Sequence, residues 1–448
     1  MASENKMGTM PEGRLIITMS FPIMLSMLVQ ALYNIVDSAF VARISEDALT
    51  AVSLAFPVQL LMIAVATGTG VGVNALLSRR LGQKKQEEAN AVAVNGVFLS
   101  VCFWLVFAVL GLLFGRGFIA LFTDVPAVID MGTSYVTVVT VASCGVFLLF
   151  VAERLMQATG NTVYHMVTQL IGAVLNCILD PIMIFGLFGF PALGTTGAAL
   201  ATVLSQIIAM SIGFFINVRF NHDVRLHLRG FRPDGGILGE IVRIGLPAAV
   251  QQSLLSILTV GLNRILMPFS QTAVSFYGVY YKLQNFLFMP VYGLNNALIP
   301  MVGYNFGAKN RRRIERITRY ALYLAIGIMA AGTVLFELIP VPLLRLFDAS
   351  DAMLAIGVPA IRIISLSFCF AGASVILCGC MQGLGRGNES LWVALTRQFI
   401  VILPAAVLLS RLSLSAVWFA FPLAEAVGLA AAIVLHRRVT RRLLDPLK

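Results

Sequence analysis

Three acidic residues of this sequence stand deep inside otherwise apolar stretches: Asp37, Asp180 and Glu425. Asp37 follows Gln30 and Asn34 at seven and three residues, so in a helix the three share one face, with Tyr33 beside Asn34. Asn176 and Asp180 stand four apart and share a face in the same way. Carboxylate, amide and hydroxyl oxygens are hard donors that suit a small hard cation, and the same carboxylates can hold a proton instead. An ionisable group inside a lipid-spanning helix is costly, by a contested ~2.5–17 kcal/mol, and so marks a functional position by default. Interhelical hydrogen bonding is the simpler use of the same groups.

The elements that must carry these residues follow from composition. Of 448 residues, 58% are hydrophobic and 12% charged, with mean hydropathy +0.89. A soluble domain carries about a quarter charged residues. A membrane span takes about 20 apolar residues, and twelve would absorb nearly all the apolar sequence. A soluble enzyme and a large extramembrane domain are thereby excluded. Apolar runs predict spans at 15–42, 50–77, 93–115, 131–157, 164–189 and 194–219, then 238–267, 274–303, 317–341, 352–381, 389–410 and 413–436. The polar stretch Arg219 to Gly236 separates six from six, which predicts an all-α polytopic membrane protein with bundles at 1–225 and 226–448. The apolar stretch from Leu15 is too long for a signal peptide, so the first span is expected to stay in the mature protein.

The net charge of +11 resides in short loops, which argues for a membrane orientation rather than nucleic acid. Arg79, Arg80, Lys84, Lys85, Arg225, Arg229, Lys309, Arg311, Arg312, Arg313, Arg441, Arg442 and Lys448 fall on the side that also holds both termini. Arg43, Arg116, Arg345 and Arg411 fall opposite. Both termini are therefore expected in the cytoplasm. The six cysteines lie in apolar segments and suggest packing, with no metal-binding spacing and no cofactor.

The two halves repeat. Ala51-Val52-Ser53 recurs at Ala273-Val274-Ser275, and Asn74-Ala75-Leu76 recurs at Asn296-Ala297-Leu298 with the same offset. Pro22, Gly82, Lys84, Met156, Gln157 and Gly160 recur at Pro247, Gly307, Lys309, Met381, Gln382 and Gly385, all with one slightly longer offset. An even number of spans per half gives the halves the same topology, a parallel pseudo-two-fold repeat of the kind found in secondary transporters.

Pro22, Gln30, Tyr33, Asn34 and Asp37 open a longer pattern. It continues through Gly68, Gly70, Gly72, Leu81 and Gly82, the run Arg154 to Asn161, Asn176, Asp180, Pro181, Gly194, Gly197, Ala198, Ala199, Ala201 and Thr202. In the second half it takes in Gly245, Leu246, Pro247, Gly303, Asn305, Gly307, Ala308, Met381, Gln382 and Gly383. Over almost the whole chain this resembles the multidrug and toxic compound extrusion family, and its DinF-like prokaryotic branch in particular. The resemblance implies a V-shaped pair of six-helix bundles, a monomer in a prokaryotic inner or plasma membrane. Such a protein expels organic, mostly cationic amphiphilic compounds in exchange for protons or sodium ions. It places cation coupling on Asp37, Asn176, Asp180 and Thr202, with Asp37, Asn176 and Asp180 as sodium ligands if sodium is the coupling ion. Gln30, Tyr33 and Asn34 are expected to line the substrate pocket, and Pro22 to bend the first span as the cation site fills. Other branches carry acids in the seventh and tenth spans. Here the seventh has none after Glu240 and the tenth none beyond Asp351, which puts coupling in the first half.

Two other readings have distinct requirements. A flippase for a lipid-linked precursor needs a basic cavity for pyrophosphate, to which Arg264, Lys282, Arg362 and Arg397 would contribute. An intramembrane enzyme needs a deep histidine or a Ser–His pair. The spans place His165 at a helix mouth, His222 and His227 in the linker and His436 at the last helix end, so no enzyme is expected. The glycine run Gly68 to Gly72 lies in an apolar span without a Walker lysine, so it is a helix-packing feature rather than a nucleotide loop. Orientation is checked with single reporter cysteines: near Arg229 or Arg312 they should label only from the cytoplasm, and at Asp124 or Asp348 only from outside. Labelling of both sets from one face would end the twelve-span scheme.

Overall fold

An unpaired backbone group in hydrocarbon costs several kcal/mol, so a chain of this composition has to close its hydrogen bonds within helices. The structure, a computed structural model, describes residues 5–227 and 231–447. Arg229 and Lys448, two of the basic residues used for orientation, lie outside the described residues. In chain order the helices are α1 Lys6–Thr9, α2 Glu12–Ala42, α3 Glu46–Gly82, α4 Gln86–Ala120, α5 Pro126–Val141, α6 Cys144–Ala158, α7 Thr162–Phe185 and α8 Gly194–Arg219. The second half continues with α9 Gly235–Leu266, α10 Gln271–Gly307, α11 Arg311–Leu338, α12 Pro340–Arg345, α13 Asp351–Ser365, α14 Phe368–Gly383, α15 Gly387–Leu395, α16 Ile402–Ser410, α17 Leu414–Val417 and α18 Ala420–Leu443. A π-helical stretch, Thr396–Val401, joins α15 to α16. Among the described residues ten helical segments are long and apolar enough to span a membrane, and two bent pairs bring the number to twelve.

The sharpest breaks are not at prolines. α5 meets α6 at 41° and α13 meets α14 at 49°. At each break a buried serine hydroxyl donates to the carbonyl three residues back, Ser143 to Thr140 (2.6 Å) and Ser367 to Ile364 (2.7 Å). Such back-bonding tightens the turn and frees it from the helical ladder. By contrast α2 runs unbroken as helix through Pro22.

The repeat is visible in local backbone geometry. Ser45 and Ser270 cap α3 and α10, each accepting from the backbone N–H three residues on at 3.0 Å. Both helices end in the same turn, with Lys84 at φ 59° and Lys309 at φ 56°. Gly160 and Gly385 repeat a second left-handed position, at φ 86° and 76°. All three pairs keep the offset that relates Pro22 to Pro247, and so do the starts and ends of α3 and α10. The sequence matches of Ala51-Val52-Ser53 and Asn74-Ala75-Leu76, with their shorter offset, are thus about one helical turn out of structural register. They are short strings of common residues, whereas caps and left-handed turns fix position absolutely.

Packing divides the chain into an N-terminal unit, Leu25–Ala249, and a C-terminal unit, Met1–Met24 with Val250–Lys448. Counting spans along the chain divides it at 225/226, so the two divisions differ in α2 and α9, whose first parts pack with the opposite set of helices. In the C-terminal unit Arg313 is 8% exposed and donates to the carbonyls of Met7 and Met10, pinning the start of the chain. Glycines admit the close approaches. A Cβ on Gly72 would stand 2.2 Å from the Ile241 carbonyl oxygen, and one on Gly68 would stand 2.6 Å from Ala249 Cβ. In the other unit a Cβ on Gly293, the repeat counterpart of Gly68, would meet Met24 Cα at 2.7 Å. Overpacking of this kind costs roughly 1–3 kcal/mol. Gly72→Ala should therefore lower the melting temperature of the purified protein by several degrees, while Gly117→Ala, whose Cβ meets nothing within 4 Å, should leave it unchanged.

Candidate functional site

The site is built on α2, α7 and α8 of the N-terminal unit. α7 and α8 approach closely because Gly197 has no side chain: a Cβ there would stand 2.2 Å from the Met183 carbonyl oxygen. The same contact face brings Thr202 of α8 to Asn176 of α7. Asn176 Nδ2 lies 3.4 Å from Thr202 Oγ1 and 3.3 Å from Asp180 Oδ1, and it is the donor in both contacts. Asn176 is 2% exposed and Asp180 fully buried. From α2, Asp37 lies within hydrogen-bonding reach of Asp180. α7 ends at Phe185 and a left-handed Gly186, short of the expected 189. Asp37 and Asp180 are thus each five residues, about 8 Å, from their helix ends.

Four expected residues, Asp37, Asn176, Asp180 and Thr202, are therefore brought together. Asp37 Oδ1, Asn176 Oδ1 and Asp180 Oδ2 are buried and have no hydrogen-bond partner. Two carboxylates are acceptors only, so a pair facing each other requires a proton or a cation between them. The donor chemistry, two carboxylates with an amide and a hydroxyl oxygen, fits a proton or a hard monovalent cation such as sodium. Tyr33 interacts electrostatically with both carboxyls. Gln30 is half-buried, Asn34 is exposed, and Pro22 belongs to the C-terminal unit's portion of α2.

Sequence reasoning missed two neighbours and a second cluster. Gln59 of α3 donates to the Tyr135 hydroxyl of α5 at 3.2 Å, and Tyr135 interacts with Asp37 and Asp180. A glutamine and a tyrosine in apolar runs were the available signal. The second cluster surrounds His165, which stands in the first turn of α7, at the helix mouth as expected, yet is only 2% exposed. Its Nε2 lies 3.4 Å from Ser26 Oγ and its Nδ1 3.7 Å from Oε2 of Glu153, itself 6% exposed. A Ser–His–Glu set inside three helices is no hydrolase, because the neighbouring backbone N–H groups are committed to helix bonds and cannot hold an oxyanion. Beside it the Arg154 guanidinium donates to Gln157 Oε1 at 2.6 Å, and Asn74 Nδ2 reaches the same oxygen at 3.4 Å.

In the C-terminal unit Glu425 pairs with Arg397 at 3.3 Å, as intramembrane ion pairing predicts, and Arg397 lies in the π-helical stretch. Arg362 pairs with Glu337 at 3.9 Å, and Lys282 lies over the Phe347 ring at 5.9 Å.

A twelve-span helical fold with its buried acids in one unit can be set beside known proteins. The MatE family profile matches residues 22–182 and again 247–408. The chain belongs to the MatE family. The two matches begin at Pro22 and Pro247, in the same register as the caps and turns. This MatE protein is 26% identical over 431 residues to the multidrug export protein MepA of Staphylococcus aureus strain MRSA252, covering 95% of this chain and 94% of that protein. It is 25% identical over 428 residues to MepA of Staphylococcus haemolyticus, covering 95% and 93%. An outward-facing multidrug resistance MATE family transporter of the MOP superfamily superposes with a TM-score of 0.91 at 25% identity, covering 100% of this chain and 99% of that one. These relatives are transport proteins, not enzymes, and this chain is likewise a multi-pass membrane protein of a transporter family.

Proposed function

We propose that this MatE protein is a secondary multidrug antiporter that exports organic, mostly cationic compounds in exchange for protons or sodium ions bound at Asp37, Asn176, Asp180 and Thr202. The observation that carries the reading is the facing pair Asp37 and Asp180, with three unpartnered buried oxygens around it. The protein works as a monomer in a prokaryotic cell membrane with both termini in the cytoplasm, a lobe on each half of the chain, 1–225 and 226–448. Two of the four cations on which the flippase reading relies, Arg362 and Arg397, are ion-paired, which disfavours that reading.

The exchange follows from charge. With no cation bound, two carboxylates repel each other in a poorly hydrated pocket. A proton or sodium ion removes that repulsion and draws α2 toward α7 and α8, with Pro22 and the polar face of Gln30, Tyr33 and Asn34 taking up the movement. A cationic drug relieves the same repulsion, so drug and coupling cation compete. A potential of about 100 mV supplies roughly 2.3 kcal/mol per charge, close to fifty-fold in concentration.

In proteoliposomes under separately imposed pH and sodium gradients, Asp37→Asn and Asp180→Asn should each abolish gradient-driven efflux of a fluorescent cationic dye, with protein levels near wild type. Glu425→Gln should be milder. Undiminished efflux by Asp37→Asn would sink the assignment.

A further inference from the structure

The Asp37–Asp180 pair is one end of a polar seam whose other end has no role in the mechanism above. On α2, Ser26, Gln30, Tyr33 and Asp37 recur at four, seven and eleven residues and share a face. On α7, His165, Gln169, Asn176 and Asp180 recur at four, eleven and fifteen and share a face too. The two helices meet at both ends, through Ser26 and His165 at one and Asp37 and Asp180 at the other. Along α7 the ends are about 22 Å apart. Tyr33 stands on the same face of α2, between Ser26 and Asp37.

At the second end, Glu153 Oε1 and His165 Nδ1 are buried and have no hydrogen-bond partner. Nδ1 and Glu153 Oε2, 3.7 Å apart, are too far for a hydrogen bond yet close enough to gain one on a small shift when a proton arrives. The charged and titratable groups facing them are Arg154 on α6 and Tyr33 on α2. α3 contributes Asn74, through Gln157, and α8 contributes Asn217, bonded to the Ala152 carbonyl; neither titrates.

The repeat supplies an internal control. In the register of the caps and turns, the counterparts of Ser26, Glu153, Arg154 and His165 are Gln251, Cys378, Gly379 and Ser390. They keep the network: Gln382 Nε2 donates to Gln251 Oε1 at 3.2 Å and to Ser390 Oγ at 3.1 Å. These four positions of the C-terminal copy thus carry no carboxylate, guanidinium or imidazole of their own, although the Arg397–Glu425 pair lies near Cys378. The scaffold closes at Gln251, Cys378, Gly379 and Ser390 with neutral side chains, so the ionisable groups at these positions are particular to the N-terminal copy.

We propose that Glu153 and His165 form a second proton-holding site of the N-terminal unit, linked to the Asp37–Asp180 pair through Ser26, Tyr33 and water held along the α2–α7 seam. One proton leaves a carboxyl of the outer pair, and one O–H or N–H bond forms at Glu153 or His165, so a single positive charge moves along the unit. Imidazole nitrogen is a poor ligand for sodium and the Glu153 carboxylate beside it is a single anionic donor, which favours a proton over sodium here. The inference rests on proton coupling at Asp37 and Asp180.

The test uses the full-length protein in proteoliposomes, with variants Glu153→Gln and His165→Ser, and a triple variant Ser26→Gln/Glu153→Cys/His165→Ser that copies the other half. The triple variant guards against a single variant that fails to fold. Two readouts are taken: dye efflux driven by a pH gradient, against dye–dye exchange with no gradient; and infrared difference spectra between pH 5 and pH 9, which report carboxyl groups that titrate. The expected result is a tenfold or greater loss of pH-driven efflux, exchange within about twofold of wild type, and loss of one titrating carboxyl signal in Glu153→Gln. Unchanged pH-driven efflux, or a loss of efflux with every carboxyl signal retained, overturns the second site. Asp37→Asn and Asp180→Asn in parallel separate the two claims: normal efflux in those variants is a failure of the coupling assignment itself.

Discussion

The interaction on which the rest depends is the confrontation of two carboxyl groups, Asp37 and Asp180, with no ion-pair partner among the described residues. In hydrocarbon every buried polar group has to be answered from within the protein. Asp180 gains one answer from Asn176, and Asn176 also reaches Thr202, yet three oxygens of the set stay without a hydrogen bond. The closeness of α7 and α8 that builds the set comes from Gly197, and an apolar cluster including Val41, Tyr135, Ile184 and Ala198 closes around the same helix ends. Helices hold the pair in place, and two facing carboxyl groups need a proton or a cation between them.

The structure uses one scaffold twice and puts the chemistry in one copy. Caps and left-handed turns recur in one register in both halves, and the serine-made breaks recur one residue away from it. In that common register the counterparts of Asp37, Asp180 and Thr202 are Leu262, Ala405 and Val427. The C-terminal unit instead holds a compensated, half-buried pair, Arg397 with Glu425. A compensated pair is costly to break and holds its helices in place; an uncompensated pair invites a ligand. The same architecture thereby holds an uncompensated carboxyl pair in one unit and a compensated ion pair in the other.

Much of this was legible in the amino-acid sequence because hydropathy and spacing are local signals. The twelve spans, the repeat, and the shared faces of Asn176 with Asp180 follow from counting residues. Glu153 and His165 were not legible as a pair, because span edges drawn at 157 and 164 put both near helix ends, where ionisable groups meet water. In the structure both are buried, and Ser26 of α2 reaches His165. The breaks at Ser143 and Ser367 escaped because prolines were the expected bending residues, whereas a hydroxyl bonded to its own helix does the work. Asn34 shares a helical face with Asp37 by spacing but is exposed, since the face that turns inward is that of Ser26, Tyr33 and Asp37.

The central claim is that drug and coupling cation compete for one pair of carboxyl groups. The most direct measurement is the affinity of the purified protein for a fluorescent cationic dye between pH 5 and pH 9, with and without sodium. The account predicts binding that weakens as pH falls or as sodium rises, and a flattened dependence in Asp37→Asn. Equal affinity of the wild-type protein under all of these conditions would contradict it.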